Sequence, residues 1–213
     1  MTESKGRPSK KRAAELSDEI ITVALSHFRH FGYEATTLEG IAKALKCSKH
    51  TIYRRFADKE ALFTEAVTFD RQVVLKKLAA IDKPATNSLE ALRQACRSLF
   101  ELVLDSESTE LYRACIGAMQ RFPTIGAQFF RSEQALQSVL EVALQRAQSD
   151  GYIVDGPAGP MASQLYHAII GEVMLHSLLG LPHVGTMSEQ AGLFERNWTM
   201  FLAAYGLKQD LNA

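Results

Sequence analysis

No run of apolar residues in the 213-residue chain comes near the roughly 18–20 needed to cross a bilayer, which excludes a membrane-spanning helix. The start, MTESKGRPSKKRAAE, is basic but has no apolar stretch behind it, so it does not read as a secretory signal. Cysteine is scarce: Cys47, Cys96 and Cys115 are odd in number, widely spaced and form no CxxC pair. That excludes a disulfide framework and the usual zinc spacings, and makes a protein of the reducing cytoplasm the expectation. There is no excess of charge, since 24 Lys+Arg meet 24 Asp+Glu. There is no internal repeat, no low-complexity tract and no convincing strand. With 23% charged and 46% hydrophobic residues the chain is not a disordered one, and it is long enough to bury a core without staples.

What is present is a partition of charge. Residues 1–60 hold 12 Lys+Arg and 8 Asp+Glu, a balance of +4; residues 61–213 hold 12 and 16, a balance of −4. The run KGRPSKKR (5–12) has five positive charges and no negative one, which suits attachment to phosphate; the alternative is a solvated tail.

The periodicity predicts an all-α chain. Ser17, with Asp18 and Glu19 after it, reads as an N-cap for a helix carrying Ile20, Ile21, Ala24, Phe28 and Phe31 to a stop at Gly32. Thr36 with Glu39 reads as a capping box opening a short helix with Leu38, Ile41, Ala42 and Leu45 inward. Lys46-Cys47-Ser48 is a turn, and Ser48 caps a helix from Lys49 to about Phe56. Its inner face holds Ile52 and Phe56; its outer face shows Lys49, His50, Thr51, Tyr53 and Arg54. Two short helices across a tight turn, packed on a preceding helix, are a helix-turn-helix unit whose second helix fits the major groove. Longer helices are expected from Asp58 to about Ile81, and over Ser88–Leu104, Glu107–Phe122, Ile125–Gln148, Met161–Leu179 and Ser188–Tyr205. SDGYIVDGPAGP (149–160) forms a loop. The implied layout is a basic arm over 1–16, a DNA-binding domain over 17–60 and a helical effector-binding and dimerisation domain over 61–213.

The residues Gly32-Tyr33, Thr36-Thr37, Ile41-Ala42, Ser48, Thr51-Ile52-Tyr53, Phe56 and Lys59-Glu60 resemble the DNA-binding domain of the TetR (tetracycline-repressor) family over about residues 17–63. LYRACIGAMQRFP (111–123) resembles one of the family's carboxy-terminal subtypes. The sequence departs from the family pattern at Leu45, Lys46, Cys47 and His50. A left-handed backbone at Lys46 would cost about 1 kcal/mol relative to the Gly often found there.

The resemblance implies a non-enzymatic, ligand-responsive regulator of transcription without a cofactor. It would be a repressor that binds a palindromic DNA operator as a homodimer and is released by a small, mostly apolar effector. The alternative is an activator or a ligand-independent DNA binder of the same fold. Carried over by position, Thr37, Tyr53 and Lys59 would contact phosphates, and Lys49, His50 and Thr51 would meet base edges, with Ser48 beside them. Arg54 and Arg55 flank them as phosphate contacts or solvated charges, and Arg7 would enter a minor groove or stay in a solvated tail. The two last helices would pair with a second copy. Phe194, Trp198, Phe201 and Tyr205 would form the seam of one, and Tyr166, Ile169, Ile170, Val173 and Ser177 that of the other, with Ala168 and Gly171 allowing close approach. The same stripes also fit ordinary core. An effector cavity would draw on Phe63, Phe100, Val103, Tyr112, Cys115, Met119, Phe122, Phe129, His167 and Met174, with Tyr112, His167 and Glu172 as orienting polar groups. Aromatic and Met residues at helical spacing are more often plain core than the lining of a ligand site.

Rival chemistry finds little support. Cys115 is not placed with His167 or His176 by any sequence feature. His27 and His30 are three apart on a helix, but the nearest carboxylate, Glu34, lies past Gly32. Cys47 in the turn is either a redox-sensitive thiol or a small apolar filler.

Overall fold

A computed structural model describes residues 10–79, 85–181 and 185–207. Among these there are nine helices: α1 (Lys10–Ala35), α2 (Leu38–Ala44), α3 (Lys49–Tyr53), α4 (Lys59–Ala79), α5 (Ser88–Leu104), α6 (Ser106–Met119), α7 (Pro123–Ser149), α8 (Ala158–Leu179) and α9 (Met187–Tyr205). The all-α expectation holds. Among the described residues the one β-type pairing is an isolated bridge between Ile153 and Gly206. Arg7 and the other residues before Lys10 lie outside the described residues.

Two compact units emerge. The first takes the described residues up to Gln72 together with Arg113–Phe129; the second takes Val73–Tyr112 and the described residues from Phe130 on. The first is built on α1, α2, α3 and the start of α4. Ile20, Phe28, Ile41, Ile52, Leu62 and Phe63 are fully buried there. Phe28 meets Phe63 edge-on at 4.6 Å between ring centres, and Tyr33 lies 5.0 Å from Phe63 and 4.9 Å from Phe122. In the second unit α5 packs against α8 and α9. Its core joins Leu92, Leu99 and Phe100 of α5 to Leu136, Leu140 and Leu144 of α7, Leu165 and Ile169 of α8, and Phe194 and Trp198 of α9.

Local chemistry explains two departures from the expected boundaries. No residue of the run Lys11–Leu16 breaks a helix, so α1 begins at Lys10, and Ser17 accepts a hydrogen bond from Arg55 Nε (3.2 Å) instead of capping. The expected capping box at Thr36 is displaced by one residue. The Thr36 hydroxyl is buried and donates to the Gly32 carbonyl (2.7 Å), so Thr37 caps α2 by accepting from the Gly40 N–H (3.1 Å). Lys46 does take the left-handed turn (φ 52°), while Gly32 (φ 73°, ψ 177°) breaks α1 in a conformation open to glycine.

Candidate nucleic-acid interface

Helix α3 has five residues and gives one of them, Ile52, to the core. Ser48 caps it by accepting from Thr51 N–H (3.2 Å), and the Ser48 and Thr51 hydroxyls are 2.9 Å apart. With Ile52 and the following Phe56 anchored inside, helical geometry turns Lys49, His50, Tyr53 and Arg54 outward; all four are exposed, Tyr53 to 46%. Thr37, at the cap of α2, is exposed as well. Six of the expected DNA contacts, Thr37, Ser48, Lys49, His50, Tyr53 and Arg54, are thus surface residues of the first unit, and Thr51 is half-buried among them.

Two cations next to this surface have internal partners. Arg55 braces α3, donating through Nε to Ser17 and through Nη1 to the Thr51 carbonyl (3.3 Å). Lys59 is half-buried, with its ammonium bonded to the protein's own backbone. It donates to the carbonyls of Tyr33, Glu34 and Thr36, and lies 4.4 Å from the centre of the Tyr33 ring.

Lys49 pairs with Glu39 of α2, and its ammonium lies 5.5 Å from the Tyr53 ring centre. The hydrogen bond from Lys49 holds the Glu39 carboxyl below its ordinary pKa, and the same bond raises that of Lys49. Both groups are exposed, so this is a weak contact that DNA can exchange for one of its own. Cys47 is half-buried in the turn, its N–H bonded to the Ala42 carbonyl (3.0 Å). His27 and His30 flank the exposed Phe31 ring at 5.5 and 4.6 Å. Among the described residues no group of three or more His, Cys, Asp or Glu side chains is placed to hold a metal ion.

The expected dimer seam requires correction. Tyr166, Ile169, Ile170 and Val173 of α8, and Phe194, Trp198 and Phe201 of α9, are buried in the chain's own second unit, Trp198 to 5% exposure. Ser177 is buried too, and Tyr205 is half-buried, its hydroxyl donating to Gln164 Oε1 (2.6 Å). A side chain already out of water has no area left for a partner. The opposite faces are the apolar ones on the surface: Leu175 (55% exposed) and Leu179 (64%) on α8, in register with Gln164 and Ala168, and Met200 (70%) on α9.

The expected effector residues are divided between the two units. Phe63, Cys115, Met119, Phe122 and Phe129 belong to the first unit, and Phe100, Val103, Tyr112, His167 and Met174 to the second. Phe63, Phe100 and Cys115 are packed into their cores, while His167 and Glu172 are on the surface. His167 Nδ1 lies 2.7 Å from the Ser163 carbonyl, and the buried Tyr166 hydroxyl donates to Glu133 Oε2 (2.6 Å). A cavity of about 540 Å³ opens elsewhere in the second unit, between Leu78 of α4, Ala91, Gln94 and Ala95 of α5, and Ala135, Ser138, Val139, Val142, Ala143 and Arg146 of α7. None of the expected effector residues lines it. Large aromatic side chains fill space, and it is the short alanines that leave it open.

Comparison with known proteins agrees with this geometry. Residues 20–66 match the family described as bacterial regulatory proteins, tetR family. Residues 90–207, more than half of the chain, match the AefR-like transcriptional repressor C-terminal domain. The HTH-type transcriptional regulator TcmR of Streptomyces glaucescens is 30% identical over 128 residues, 58% of this chain and 56% of that protein, so the match spans little more than half of its length. A solved TetR-family regulator from Mesorhizobium loti MAFF303099 superposes with a TM-score of 0.84 at 26% identity, over 92% of this chain and 99% of that one. The flavonoid-responsive regulator FrrA follows the same fold at 26% identity and a TM-score of 0.72, over 92% and 99%.

Proposed function

The chain belongs to the TetR family of bacterial transcriptional regulators, and from that premise we propose that it is a homodimeric repressor of a palindromic operator, released by a small apolar effector. The observation that carries this reading is the outer face of α3, where His50, Tyr53 and Arg54 point away from the core and Lys49 is held by an exposed ion pair and the neighbouring Tyr53 ring. Lys49 and His50 have the donors, and Thr51 the methyl and hydroxyl, that read base edges; Thr37, Ser48, Tyr53 and Arg54 suit phosphate oxygens. One short helix gives too few contacts for a specific site, so two copies on an inverted repeat are needed. The exposed Leu175, Leu179 and Met200 faces of α8 and α9 supply the apolar surface for pairing. DNA as the partner puts the protein in the cytoplasm.

The cavity in the second unit supports the effector half of the reading. Its lining of alanines and valines, with Gln94, Ser138 and Arg146 as the polar members, favours an apolar compound with one polar end. FrrA, by its name, responds to flavonoids. The effector must bind the DNA-incompetent arrangement of the dimer more tightly than the competent one, since equal affinity shifts nothing.

Selection from a random DNA pool tests the operator claim: an enriched inverted repeat, bound by a dimer in sedimentation, is the expected outcome, and no enriched sequence would remove it. A compound that raises the melting temperature and weakens operator binding together would identify the effector class. Substituting Ala95→Trp, which fills the cavity, should abolish that response while operator binding stays.

A further inference from the structure

Lys59 is the first residue of α4, where the positive end of a helix disfavours a cation. Its side chain turns away from that end and back onto the corner between α1 and α2. There its ammonium donates to three carbonyls, those of Tyr33 (2.9 Å), Thr36 (3.1 Å) and Glu34 (3.2 Å). An ammonium has three donors, so all are spent within the protein. The acceptors are carbonyls left over where Gly32 breaks the end of α1, groups that would otherwise need water or a cap. The face of Tyr33 lies against the cation at 4.4 Å. That phenol is pushed up to about 12, by burial first and then by the carboxylates of Glu60, Glu34 and Asp58.

The corner is where α2 is aimed. Thr36, whose carbonyl is one of the three acceptors, is buried, and its hydroxyl donates to the Gly32 carbonyl. Thr37, the next residue, caps α2, which packs on α3. We propose that Lys59 is a positioning residue that fastens the first turn of α4 to the α1–α2 corner and so sets the placement of the α2–α3 pair, without lending its charge to the DNA backbone. The proposal rests on the operator-binding reading above only for its functional consequence; the clamp itself is a property of the free protein.

Two measurements on the full-length protein decide it. In the first, operator affinity is measured across a salt series for the wild type, Lys59→Met and Lys59→Arg. Loss of the clamp in Lys59→Met weakens binding about tenfold and leaves the slope of log affinity against log salt unchanged. Loss of a phosphate contact would lower that slope by about 0.9 and would overturn the proposal. Lys59→Arg keeps the charge but cannot direct three bonds from one atom at three carbonyls, so it stays weak; full recovery by Arg would also overturn it. In the second, the side-chain ammonium groups of the DNA-free wild type are observed by proton–nitrogen NMR. The clamp holds the Lys59 ammonium in slow exchange, giving a cross-peak that Lys59→Met removes; absence of that cross-peak in the wild type rules the clamp out. If the wild type bound no operator, the operator reading would fall, and the ammonium signal would still decide the clamp.

Discussion

Helices α3 and α9 spend their side chains in opposite ways. The five residues of α3 put Ile52 inside and leave Lys49, His50 and Tyr53 facing out. The nineteen residues of α9 put Leu193, Phe194, Trp198 and Phe201 inside, and Met187 and Met200 are the large apolar residues left facing out. A polar residue held on the outside of a short, well-anchored helix has little structural work to do, so its chemistry speaks for function. An apolar stripe reports only that something covers it, and in α9 the cover is the chain's own α5 and α8.

That contrast can be broken most forcefully at Trp198. Trp198→Ala should cost about 3–5 kcal/mol of stability, read as a lowered denaturant midpoint, because it empties a buried aromatic site. An unchanged midpoint with a lost dimer would restore Trp198 to the seam. Leu175→Glu or Met200→Glu, on exposed faces, should leave the midpoint within about 0.5 kcal/mol and raise the dimer dissociation constant by about a hundredfold, roughly 2.7 kcal/mol. Sedimentation across a concentration series checks this. Tyr53→Ala should weaken binding to operator and random DNA alike by about tenfold, roughly 1.4 kcal/mol, whereas His50→Ala should change which bases a selection enriches. Lys46→Gly should stabilise the protein by up to about 1 kcal/mol, since it relieves a left-handed residue at the expense of a more flexible unfolded chain. The smallest effect concerns Glu39. Its folded carboxyl titrates below its ordinary range, so its contribution to stability is present above that range and is lost as pH falls from there through the lowered folded pKa. Glu39→Gln should flatten that part of the pH–stability curve and strengthen DNA binding by freeing Lys49.

Much of this was legible in the residues, for physical reasons that can be named. Gly32 marked the break in α1 because its backbone has a positive φ, and Ser48 marked the start of α3 because its hydroxyl caps Thr51. The resemblance placed α2, α3 and the start of α4, and the exposed residues of α3 followed from Ile52 and Phe56 alone. The start of α1 was not legible, since a good capping residue at Ser17 does not stop helix formers upstream of it. Nor was the double role of the threonines, where burial took Thr36 for the Gly32 carbonyl and left Thr37 to cap. The internal partners of Lys59 were not legible either, because the carbonyl corner that it satisfies exists only once the chain has folded. The cavity was invisible for a further reason: Ala91, Ala95, Ala135 and Ala143 are good helix formers anywhere, and nothing in their spacing says that they line a space.

The central claim is that the outer face of α3 is for DNA while the aromatic stripe of α9 is interior. Hydroxyl-radical footprinting with mass spectrometry, on the free protein and on its operator complex, tests both halves together. The account predicts that Tyr53 is oxidised in the free protein and protected in the complex, with Trp198 unmodified in both. Equal oxidation of Tyr53 with and without operator, or ready oxidation of Trp198 in the free protein, would contradict it.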